Sequence, residues 1–120
     1  MTTVARALEG SFLPAFVDVD GNRALVWRDA GIADDPWVYA MFDGDAPPTR
    51  RMVSGFASRE AALDAALCHM AQMATDQHSD MEAVEASIVG QGASEGAVRD
   101  YRSWARAMVE EYAETWADNA

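Results

Sequence analysis

The chain has no lysine; its nine basic residues are all arginine, against twenty acidic ones, for a formal net charge of -11. A surface this negative repels nucleic acid phosphates and anionic lipid heads, and it favours basic proteins, cationic peptides or metal ions. Basic patches with interleaved aromatics, the footprint of a nucleic acid binder, are also missing. Cys68 is the only cysteine, which excludes an intramolecular disulfide and fits a reducing compartment. No segment approaches the roughly 18 apolar residues of a spanning helix. The first ten residues carry one arginine and lack the apolar run of a secretory signal. A cytoplasmic, soluble protein is therefore expected. Missing lysine with abundant alanine also suggests GC-rich coding and a bacterial or phage source. Gly90-Gln91-Gly92 precedes a helical pattern but lacks the strand and lysine of a phosphate loop.

What is present suffices for one domain spanning residues 1–120. Half of the 120 residues are hydrophobic, with four Trp, three Tyr and four Phe to fill a core. The first half alternates with period two between turn signals. It predicts strands at 16–19 and 24–28 about the Asp20-Gly21-Asn22 hairpin turn, then at 37–42 and 51–56. The second half changes to a period near 3.6, predicting helices at about 59–75, 80–89 and 94–116. Ser58 and Ser94 are natural N-caps, and Ser79-Asp80-Met81-Glu82 has capping-box spacing. Ala61, Ala65 and Cys68 form a small-residue side of the first helix, where a second helix can approach closely. The expected fold is α+β: an antiparallel sheet of three to four strands covered on one face by two to three helices. Residues 1–10 fall outside these elements and are a candidate for disorder.

Charge is uneven. Residues 58–120 hold twelve acids and four arginines, whereas residues 1–57 hold eight and five. Arg99, Arg102 and Arg106 line one edge of the last helix, with Glu95 and Glu110 placed for intrahelical pairs with Arg99 and Arg106.

Each chemical constellation has a simpler structural explanation. Asp18, Asp20 and Asn22 alternate like calcium-loop ligands, but Arg23 replaces the required glycine and strands flank the loop. Cys68, His69 and His78 are too few for an all-soft zinc site, and adjacent helical residues point about 100° apart. No oxyanion loop accompanies a Cys68–His78 nucleophile. Acid pairs at Asp34-Asp35, Asp43/Asp45 and Glu110-Glu111 fall in turns or on a solvent face, whereas acid–base catalysis needs at least one buried carboxyl. No catalytic residue, metal or cofactor is assigned.

The strand at 37–42 is apolar on both faces: Trp37, Tyr39 and Met41 on one, Val38, Ala40 and Phe42 on the other. Helices can cover only one. Trp37 and Tyr39, rimmed by Asp34, Asp35, Asp43 and Asp45, are thus either core or an interface, including that of a homodimer. Glu110 and Glu114, one turn apart on the last helix, complete the candidate binding set. The function expected is a non-enzymatic acidic interaction protein that binds, and in that way inhibits or shields, a basic partner, as immunity proteins, antitoxins and phosphate mimics do. The alternative is a homodimeric small-molecule-binding domain or small enzyme with a cleft between sheet and helices.

Overall fold

The computed structural model describes residues 13–42, 52–77 and 79–118, with backbone alone at 42, 112 and 114–118. Strands β1 (Ala15–Val19), β2 (Asn22–Arg28), β3 (Trp37–Phe42) and β4 (Met52–Phe56) precede helices α1 (Arg59–Asp76), α2 (Met81–Gly90) and α3 (Glu95–Asp118). The strands pair antiparallel in sequence order, a meander. Between β1 and β2, Asp20 and Gly21 both have positive φ, 50° and 86°, so the turn is of the mirror-image kind whose twist matches the strands. Between β3 and β4 the register slips: Trp37 pairs with Phe56 but Tyr39 with Val53. Gly55 absorbs that bulge at φ +99°, a conformation that strains any residue with a side chain.

Ser58 caps α1 by accepting from Ala61 N at 3.1 Å, and Ser94 caps α3 by accepting from Ala97 N at 3.1 Å. The capping box expected from Ser79 is not formed. Asp80 caps α2 instead, accepting from Ala83 N at 3.3 Å, while the Ser79 hydroxyl donates to Asp20 of the hairpin. A carboxylate caps as well as a hydroxyl does, which frees Ser79 to tie the sheet to the α1–α2 corner.

Helix α1 is the middle layer, with the sheet on one side and α2 and α3 on the other. Leu67 and Met70, with no exposed surface, pack in one cluster with Val17, Val26 and Tyr39 of the sheet and Tyr101 of α3. Each large aliphatic side chain withdrawn from water in this way contributes about 1.5–3 kcal/mol. Trp37 and Tyr39 are only 4% and 6% exposed within this cluster. Their face of the sheet is therefore the core face, and a partner or second copy could reach it only by displacing α1. The opposite face carries Phe16, Leu25, Ala40 and Met52 in one row across all four strands.

Amide side chains stitch the elements together. Asn22 and Gln77 bond reciprocally at 3.0 and 3.3 Å. Gln91 accepts from Asp18 N at 3.0 Å and donates to Asp18 O at 2.7 Å, continuing the ladder at the outer edge of β1. An edge strand so occupied is a poorer template for another chain.

Candidate binding site

Among the described residues, those expected to bind a partner are not gathered in one place. Trp37 and Tyr39 are core, whereas Asp34 and Asp35 are exposed on the β2–β3 loop, with Asp35 at φ 49°. Asp43, Asp45 and His78 lie outside the described residues, and Glu114 is placed by backbone only. Glu110 does border a concave surface, described below.

The histidine and cysteine have structural surroundings. Tyr39 Oη lies 2.9 Å from His69 Nδ1, and the two rings meet edge to face. Burial lowers the His69 pKa and raises that of Tyr39, so at neutral pH an uncharged imidazole faces a protonated phenol. The Cys68 thiol donates to Ala97 O at 3.3 Å, on the small-residue side where α3 packs against α1. Burial first, then the negative charges of Asp100 and Asp64, pushes its pKa up to about 11. A thiol held protonated in this way is the opposite of an activated nucleophile.

The calcium-like side chains are engaged elsewhere. The Asp18 carboxylate accepts from Gly21 N at 2.9 Å and pairs with Arg23 at 3.4 Å, while Asn22 bonds to Val19 O and Gln77. Among the described residues no group of three His, Cys, Asp or Glu side chains could hold a metal ion.

Among the described residues, two concave surfaces on the helical side could take up a partner. One is an acidic cleft between α1 and α3, lined by Asp64, Cys68, Gln72, Ser94 and Asp100. Asp64 is already committed there, accepting from Ser94 N at 2.9 Å and from its hydroxyl at 2.6 Å, which anchors the start of α3 to α1. The other is an apolar groove where α3 runs past α2 and the end of α1. It consists of two adjoining hollows, about 450 and 590 Å³, that share Met81, Ala105 and Val109. Met81 and Val109 are 38% and 50% exposed, although both are large and apolar. Asp76, Glu82, Glu85 and Glu110 rim the groove, with Arg102 and Arg106.

The groove exists because the helices differ in length. Helix α2 has 10 residues and α3 has 24. The first half of the α3 stripe, Val98, Tyr101 and Ala105, is buried, while Met108 is half-buried and Val109 exposed. The period near 3.6 that predicts this helix does not say where the cover of its apolar side ends; the short span between Ser79 and Gly90 was the available signal.

The intrahelical pairs expected of Arg99 with Glu95 and Arg106 with Glu110 are not formed among the described residues. Arg102 instead reaches across to α2, where its Nε and Nη2 donate to the two oxygens of Glu85. Exposed pairs one helical turn apart gain little over hydration, whereas a two-pronged pair joins two helices. Arg102 holds the Glu85 carboxyl below its ordinary pKa.

Among the described residues no helix is long and apolar enough to cross a membrane. No family model, no curated protein and no solved structure matches the chain.

Proposed function

We propose that this protein is a non-enzymatic acidic binding protein whose partner is basic, and that it acts by occupying that partner's cationic surface. The carrying observation is the small part that the arginines play in neutralising the helical half. Between Arg59 and Arg99 there is no basic residue, while Asp64, Asp76, Asp80, Glu82, Glu85 and Glu95 fall in that interval. Asp100 and Asp64 both press on the Cys68 thiol, a local sign of the same negative potential. A field of this kind accelerates encounter with a cationic protein and is screened by salt over about 10 Å at 0.1 M.

The test is affinity capture from a lysate of the source organism at low and at physiological salt, followed by titration of the purified captured protein. A stoichiometric basic protein whose affinity falls as salt rises supports the reading. Binding that is indifferent to salt, or the absence of any basic partner, would sink it.

A further inference from the structure

We propose that the groove between α2 and α3 docks an amphipathic, cationic helix. The inference rests on the reading that the partner is basic, and it adds where the partner binds and in what conformation.

Shape comes first. The two hollows follow α3 from Tyr101 to Ala113. At 1.5 Å per residue this is about 18 Å, room for roughly three turns of a second helix laid alongside. The floor is apolar and includes Met81 and Met108, whose unbranched thioether side chains adapt to varied apolar shapes. Helix α2 stops too early to cover this stretch, so among the described residues no other element packs over Val109.

Charge then selects the occupant. Four carboxylates, Asp76, Glu82, Glu85 and Glu110, rim the groove against two guanidiniums. Arg102 is already held by Glu85, which leaves Arg106 as the one rim cation outside that pair among the described residues. Beyond Arg106 the α3 sequence carries Glu110, Glu111, Glu114 and Asp118 and no base. Its last turn has no basic residue to offset the negative end of the helix dipole. An apolar floor with an acidic rim complements a helix whose apolar stripe is flanked by lysine or arginine. A second copy of this chain is a poor occupant, because its own α3 would bring the same acids to the rim.

The experiment compares two probes of equal net charge on the full chain: a leucine–lysine peptide patterned as an amphipathic helix, and an oligolysine. Titration calorimetry gives affinities, and amide shifts locate the contact. The amphipathic peptide should bind at least about tenfold tighter, because only it can bury an apolar face. Its shifts should cluster at residues 81–85 and 101–113. Val109→Asp, at a half-exposed position, should remove most of that advantage while leaving oligolysine binding and the melting temperature nearly unchanged. Equal affinity for the two peptides, indifference to Val109→Asp, or shifts centred on the sheet or the Asp64/Asp100 cleft would overturn the groove assignment and leave the basic-partner reading intact. Failure of both peptides to bind would overturn that reading as well. Sedimentation showing a dimer that Val109→Asp dissociates would assign the groove to a second copy and overturn the proposal.

Discussion

Tyr39 and His69 show how burial decides the meaning of a residue type. The imidazole sits beside a phenol at 2.9 Å in a partly buried site, and desolvation holds its pKa below the ordinary 6.5. The unfolded chain takes up a proton near pH 6.5, whereas the folded chain resists until lower pH. The neutral site therefore contributes stability above about pH 6.5, and this contribution is lost as pH falls through the lowered folded value. A charged imidazole could also no longer accept the phenol proton at Nδ1. We expect stability in urea to fall between about pH 7.5 and pH 5, and to fall less in His69→Gln, which does not titrate in that range. Direct titration of the His69 ring by NMR checks the cause; a midpoint above 6.5 would reverse the argument. In sequence, Tyr39 was equally compatible with an interface, because the alternation of β3 makes both faces apolar and does not say which one the helices cover.

At the scale of the element, caps and turns were legible and the pairing of their side chains was not. Asp20-Gly21, Ser58 and Ser94 act as local chemistry requires, through contacts within three residues. Ser79 shows the limit of local reading, since its spacing to Glu82 suits a capping box but a residue 59 positions away claims its hydroxyl. The two cap assignments lead to opposite outcomes. Asp80→Ala should cost about 1 kcal/mol, within the usual 0.5–2 for a lost N-cap, and should loosen α2 specifically. Ser79→Ala should leave amide exchange in the first turn of α2 unchanged and loosen the β1–β2 hairpin instead. Hydrogen exchange resolved by residue separates the two, and fraying of α2 in Ser79→Ala would restore the capping box. The groove was half legible for the same reason. The α3 periodicity displays its apolar stripe, but the point where cover ends depends on how α2 docks, through Val84, Ile88 and the Arg102–Glu85 pair.

For the whole molecule, the charge of -11 has two opposed effects on stability. Some carboxylates are locally useful: Asp80 and Asp64 hold helix starts, Asp18 holds a turn, and Glu85 joins two helices. These contacts are short and hydrogen-bonded, so salt weakens them little. The remaining repulsion acts over longer distances, and compaction concentrates it. Raising salt from about 0.01 to 0.1 M shortens the screening length from about 30 to 10 Å, which removes repulsion between helices before it touches a contact at hydrogen-bond distance. The melting temperature should therefore rise by several degrees over that range, since about 1 kcal/mol corresponds to roughly 2–8 °C in domains of this general size. Differential scanning calorimetry in sodium chloride measures it, and a flat or falling midpoint would mean that local pairing outweighs net repulsion. A cationic partner would relieve the same repulsion that salt screens. Its stabilising effect should consequently shrink as salt is added, and the stability of the free protein and its affinity for the partner should move in opposite directions along one salt axis.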